Sequence, residues 1–160
     1  MRIRVARPDE VDLLVEIERD SDALFAEVGI TFPDAGEDHR TPFEDAETWV
    51  AVGADDVPLA FARLDSVDGT THVEQLAVRR SAQRRGIGAM LLDHVGAGRA
   101  LTLTTYREVP WNGPYYERLG FRELAPSEVT PGLARILEQE HEVELDRHGT
   151  RIAMRREPRR

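Results

Sequence analysis

Apolar positions recur along the chain with two different periods. Residues 2–6 (RIRVA) alternate, as a short strand does. From about Pro8 to Asp20 the period lengthens, with Val11, Leu14, Val15 and Ile17 on one helical face. Pro8 suits a first helical turn, and Asp9, Glu10 and Asp12 complement its positive end. Leu24, Phe25 and Val28 either extend this helix or begin a second short one. The stretch Thr31–Asp45, rich in Pro, Asp, Gly and Thr, reads mainly as loop. Strands are predicted at Trp49–Val52, Val57–Leu64 and Thr71–Val78, joined by polar turns at Gly53–Asp56 and Asp65–Thr70.

The second half alternates strand and helix. Ile87, Leu91 and Val95 share a helical face, and Gly96 and Gly98 stop that helix. Ala100–Thr105 alternates as a strand. A short helix over Tyr115–Leu119 follows, with Asn112 placed to cap it and Gly120 to end it. Phe121–Leu124 is a strand, Pro131–Glu142 a helix and Arg151–Met154 a final strand. The fold class is therefore α/β (α+β), one mixed central sheet of about six to seven strands flanked by helices. Tight turns make the first strands antiparallel. The crossover from Val78 through a helix to Ala100 requires a parallel neighbour. A length of 160 residues fits one domain over 1–160.

Net charge is −9, which disfavours a non-specific nucleic-acid or anionic-membrane partner. No run reaches the ~18 apolar residues of a membrane span, and the first residues lack an apolar leader core; a soluble cytoplasmic protein is expected. There is no cysteine, so no thiolate nucleophile and no thiolate metal site. The five histidines show no ligand spacing, and no metal is expected. All basic residues are arginine, consistent with a coding bias. Four of them, Arg79, Arg80, Arg84 and Arg85, crowd seven positions of this acidic chain. They flank Gly86-Ile87-Gly88 between a strand and a helix. Helix-start N–H groups lack internal acceptors, glycine allows close approach, and the dipole favours an anion, so this turn suits a phosphate. It matches neither the P-loop nor the G-x-G-x-x-G dinucleotide run.

Gln83-x-x-Gly86-x-Gly88 after Glu74-Gln75-Leu76-Ala77-Val78 resembles the acetyl-CoA signature of the GNAT N-acetyltransferases. Tyr115-Tyr116-Glu117-Arg118-Leu119-Gly120-Phe121 resembles their Y-E-x-x-G-F element, in the family's order. The resemblance covers roughly Ile3–Phe121 and implies a GNAT fold with acetyl-CoA as cofactor. It implies that Leu76, Ala77 and Val78 pair with the pantetheine arm. The diphosphate would lie on Gln83, Arg84, Arg85, Gly86, Ile87, Gly88 and Ala89, with Asn112 as a further pantetheine contact or a helix cap. A Val78 N–H would stabilise the oxyanion, and Tyr116 would protonate the departing sulfur.

For the base, the resemblance points to Glu74 and His72, two residues apart on one strand face, acting directly or through water. The family's asparagine seven residues before the tyrosine is Val109 here. The glutamate twelve residues before it in one branch is Thr104. Trp111, Tyr106 and Phe25 are candidates for the acceptor pocket. Glu18 and Asp22 are either anions facing a cationic acceptor or solvated helix-end acids. The implied reaction is direct acetyl transfer to a primary amine of a small-molecule or peptide acceptor, with no nucleic-acid or membrane partner. Pairing into a homodimer through the C-terminal strand and helix is open. Two other readings stand beside it: a non-catalytic acyl-CoA-binding module, and a GNAT-type toxin acting on charged tRNA, which the acidic balance disfavours.

Overall fold

Strand β1 (Arg2–Val5) lies at one edge of a seven-stranded mixed sheet, followed in chain order by α1 (Val11–Asp22), α2 (Thr41–Glu44), β2 (Glu47–Val52), β3 (Pro58–Val67) and β4 (Thr70–Val78). Then come α3 (Ile87–Val95), β5 (Leu101–Tyr106), α4 (Gly113–Arg118), β6 (Arg122–Glu123), α5 (Pro131–Glu142) and β7 (Arg151–Arg156). The structure, a computed structural model, describes residues 1–32 and 39–159. Part of the loop expected over Thr31–Asp45 lies outside those residues; the described remainder includes the short α2. Strand order is β1-β2-β3-β4-β5-β7-β6. The expected antiparallel first half is found, as is the parallel step from β4 to β5. The residues gather into two compact units, Met1–Asp65 with Val73–Val95 and Ser66–His72 with Gly96–Arg160.

In the first unit the sheet separates two apolar layers, as strand alternation dictates. Val50, Val52, Phe61 and Ala77 face Val11, Leu14, Val15 and Ile17 of α1 and Phe43 of α2. Ala51 and Ala60 face Ile87 and Leu91 of α3. Burying a side chain such as Leu91, which has no exposed surface, contributes about 1.5–3 kcal/mol. The helix expected over Pro8–Asp20 begins later. Pro8–Glu10 form a 3-10 turn, and the α-helical hydrogen-bond pattern starts at Val11 and runs to Asp22. A further 3-10 stretch, Ala23–Val28, carries Phe25. The turn expected at Asp65–Thr70 shrinks to Asp68-Gly69, both with positive φ (51° and 77°), and β3 extends to Val67. That is the backbone a two-residue hairpin needs, and it sets Val67 opposite Thr70 and Arg63 opposite Glu74.

In the second unit β5 pairs with β7 over six positions, from Leu101–Arg156 to Tyr106–Arg151. β7 outruns the expected Met154 because those pairs continue to Arg156. β6 is shorter than the expected Phe121–Leu124, since the Phe121 N–H turns back to the Tyr116 carbonyl. Helix α5 has the expected bounds and packs Leu133 against Leu124 and Ala153. It is also tied to the sheet by charge. Arg151 donates from Nε and Nη2 to Glu140 at 3.1 Å each, and Thr104 Oγ1 donates to Glu140 Oε2 at 2.7 Å.

Glu18 and Asp22, one turn apart on α1, are not the solvated pair that a helix end suggests. The Glu18 side chain is 14% exposed, and its Oε2 lies 3.6 Å from His39 Nδ1. Burial first, then the Glu18 charge, push Asp22 up to about 7, with His39 opposing. The folded state therefore holds the Asp22 proton more tightly than the unfolded chain. The sign follows: this group lowers stability progressively as pH rises from about 4 to 7, and the full cost is present above 7. Asp22→Asn removes the ionisation. It should raise Tm by several degrees at pH 8 and leave it near wild type at pH 4, as read by a thermal melt at both pH values.

Candidate functional site

Strand β4 leads directly into the turn singled out by its glycines. Its pairing with β5 comprises Thr71–Leu101 and His72–Thr102 among the described residues, so the ladder ends with six residues of β4 still to run. The Arg79 N–H adds a hydrogen bond to the Leu59 carbonyl at 2.8 Å, and a 3-10 turn, Arg80–Ala82, carries the chain away from the strand. Arg84 and Gly86 both take left-handed conformations, φ 63° and 73°. At Gly86 this costs little, whereas an L side chain at that φ is strained. The Gly86 carbonyl accepts from the Met90 N–H at 3.0 Å, which closes the first turn of α3. The N–H groups of Ile87, Gly88 and Ala89 therefore have no acceptor one turn back within the helix. They lie at the positive end of the helix dipole. Ile87 and Gly88 are buried, and Ala89 is half-buried.

The side chains around this turn have more partners than the sequence suggested. Gln83 Nε2 donates back to the Val78 carbonyl at 3.1 Å, bracing the loop against the strand it left. The Arg80 N–H donates to Asp20 Oδ2 at 2.7 Å, and its guanidinium lies 3.7 Å from Glu27. Arg85 Nη2 donates to the Ser81 carbonyl at 3.2 Å. The expected four-arginine field is thus reduced by Glu27, and the backbone supplies the more sharply directed anion chemistry. Leu76 and Val78 flank the α3-side core while Ala77 lies in the α1-side core, so these three are strand residues with packed side chains.

The two base candidates are each held by a neighbour. His72 is 3% exposed, and its Nδ1 lies 2.9 Å from Thr102 Oγ1, with the tautomer setting which atom donates. Glu74 is more open, with a side chain 36% exposed, and accepts from Arg63 Nε at 3.2 Å. The Arg63 guanidinium lies 4.8 Å over the Phe43 ring. Glu74 meets solvent, and His72 does not.

Tyr116 sits on α4, buried, with its ring edge-to-face against Tyr115 and Phe121 at 5.4 and 5.6 Å. Burial, with a smaller push from Tyr115, raises its phenol above the ordinary tyrosine range, against an opposing pull from Arg151. The hydroxyl keeps its proton at neutral pH and can only donate it or share it. Asn112 corrects an expectation. It occupies the N-cap position of α4, but its side chain makes no capping bond; Nδ2 donates to the Trp111 carbonyl at 3.0 Å, and its backbone carbonyl receives the Tyr116 N–H.

Tyr106 is also corrected as an acceptor-pocket candidate. It is 1% exposed, its hydroxyl donates to the Leu145 carbonyl at 2.8 Å, and Arg151 covers its ring at 4.5 Å. Trp111 and Phe25 are half-buried, and Phe25 packs edge-to-face on Phe32. Thr104 stands where one family branch has a glutamate, and its hydroxyl is bound to a carboxylate that α5 supplies, Glu140. Val109 is buried. Sequence reasoning missed Asp20 and Glu140, whose partners lie far along the chain, and Arg63. The Asp68-Gly69 pair was a signal for Arg63, since a two-residue turn places it across from Glu74.

Known proteins share this fold. The profile described as acetyltransferase (GNAT) domain matches residues 44–123, which span β2 to β6 and include the glycine turn and Tyr116. A GNAT-family acetyltransferase from Staphylococcus aureus Mu50 superposes with a TM-score of 0.72 at 15% identity, covering 99% of both chains. YjaB from Escherichia coli, in its apo form, gives 0.65 at 22% identity, over 99% of this chain and 98% of its own. The PaiA N-acetyltransferase from Thermoplasma acidophilum, solved in complex with coenzyme A, gives 0.67 at 16% identity, over 98% of this chain and 99% of its own. At such identities the structures establish a shared fold, and the profile, matching half of the chain, establishes descent. This chain belongs to the GNAT acetyltransferase family.

Proposed function

We propose that the chain, acting as one domain over 1–160, transfers the acetyl group of acetyl-CoA directly to a primary amine. The observation that carries this reading is the start of α3, where Ile87, Gly88 and Ala89 present N–H groups with no helical acceptor behind a glycine of φ 73°. The diphosphate of coenzyme A fits such a cradle, and Gln83, bracing the loop on Val78, keeps the cradle in register with β4. The end of the β4–β5 ladder supports the second part of the assignment. Beyond His72 the strand has backbone groups available to a peptide-like partner, and the pantetheine arm has two amides.

In this reading the neutral amine adds to the thioester carbonyl carbon, and its proton passes to Glu74, directly or through water. The Val78 N–H stabilises the oxyanion that forms. Collapse breaks the C–S bond, and Tyr116 gives its proton to the sulfur. The raised phenol is a weaker acid than free tyrosine but is fully protonated at working pH. A neutral thiol leaves in place of a thiolate. His72, buried on Thr102, is the second base candidate. Trp111 and Phe25 remain acceptor-side candidates.

Two measurements test the assignment. Gly88→Glu places an anion at the cradle and should abolish the rise in Tm that coenzyme A gives; an unchanged rise would remove the turn from the site. Tyr116→Phe should lower kcat by about 10²-fold while that thermal shift persists. The wild-type rate should show no loss from Tyr116 ionisation below pH 10. An unchanged kcat would reassign the acid. Binding of coenzyme A with no thiol release on any amine would mark a non-catalytic module.

A further inference from the structure

Arg63 on β3 holds a permanent charge in a setting that uses only part of it. Its side chain is 13% exposed. The Phe43 ring takes one face of the guanidinium at 4.8 Å, and Glu74 takes Nε at 3.2 Å. A ring beneath the plane stabilises the charge but accepts none of the in-plane N–H groups. Nη1 is buried with no hydrogen-bond partner among the described residues. Buried donors are nearly always paired, and those of a cation cost most when they are not. An orphan there leaves a place for an acceptor from a bound molecule. The Glu74 carboxylate beside it remains 36% exposed. On the α1 layer that packs with Phe43, Glu18 Oε2 is buried without a hydrogen-bond donor among the described residues, the opposite polarity.

Resting on the acetyl-transfer reading above, we infer that the acceptor is an amine that also carries a carboxylate, of the α-amino-acid class, and that Arg63 binds the carboxylate. The guanidinium fork matches a carboxylate in the plane, and its terminal nitrogens are the part that Glu74 leaves unused. An α-amino acid separates its nitrogen from its carboxylate by a single carbon. Arg63 and Glu74 stand directly across the β3–β4 hairpin, in contact at 3.2 Å. One small molecule can therefore reach both, setting its carboxylate on Arg63 and its amine against Glu74, the proposed base. The acceptor's charge is then balanced within the site. A bare amine would leave Nη1 unpaired in the complex as well.

The experiment compares α-amino acids with their amides, which keep the amine and side chain but lose the carboxylate, by thiol release from acetyl-CoA. At least one acid should exceed its amide tenfold or more in kcat/KM, chiefly through KM. Arg63→Met should bring that ratio close to one, while Arg63→Lys, which keeps the charge but not the fork, should retain part of it. The thermal shift with coenzyme A is measured on each protein. If wild type shows no shift, the cofactor reading falls and this inference with it. If the shift is present and amides match the acids, or no α-amino acid is acetylated, the inference alone is overturned. Should Arg63→Met fail to fold, the wild-type acid-to-amide ratio and Arg63→Lys still decide.

Discussion

Among the described residues strand β4 stops pairing with β5 partway along its length, and the candidate site follows from that. Its first residues join β5 through Thr71–Leu101 and His72–Thr102. After them the strand has no further register with β5 among the described residues, yet it continues to Val78. A strand edge inside a sheet must satisfy its backbone groups somehow. In the reading proposed above, that edge is where the pantetheine arm binds. The same strand then delivers the chain to the Gly86 turn, where a second set of backbone donors is left over by the start of a helix. Two kinds of unspent main-chain hydrogen bonding lie at the end of one element.

The side chains around these backbone groups hold positions more than they perform chemistry. Gln83 braces, Asp20 receives the Arg80 N–H, and Glu27 balances Arg80. Several arginines of this chain bond to carboxylates of the same chain. Arg2, Arg4 and Arg7 converge on Asp56, whose carboxyl they hold well below the usual carboxylate range, and Arg4 also grips Glu10. Arg151 joins α5 to β5 through Glu140 and Thr104. Arg63 differs from these because one of its buried donors has no acceptor among the described residues.

Much of the sheet was legible because its strands alternate. Val50, Ala51 and Val52 declare two faces, and Ile87, Leu91 and Val95 declare one. Helix ends were less legible. Pro8 permits a first turn without deciding between 3-10 and α geometry, and α4 starts at Gly113 two residues before its aromatic pair. The glycine turn was readable since glycines, a preceding strand and a following helix are local features. Asn112 misled because an N-cap residue type fixes only what a side chain can do, and here the Trp111 carbonyl took the amide instead. Tyr106 misled because proximity in sequence to a loop says nothing of Leu145 and Arg151, 39 and 45 positions on. Glu140 and Asp20 could not be found by spacing at all, because tertiary contact alone gives them partners.

The Gln83 bond to the Val78 carbonyl also limits which residues can stand at the head of the glycine turn. The side chain there must point a proton at a main-chain oxygen while its own backbone, in the proposed reading, lies close to the diphosphate. Glutamate has nearly the same shape and reach, but it would set two oxygens against each other and add negative charge beside the proposed cradle. Selection at this position is therefore by polarity of the side-chain tip and not by size, so the mildest substitution on a volume scale is among the least tolerable on an electrical one.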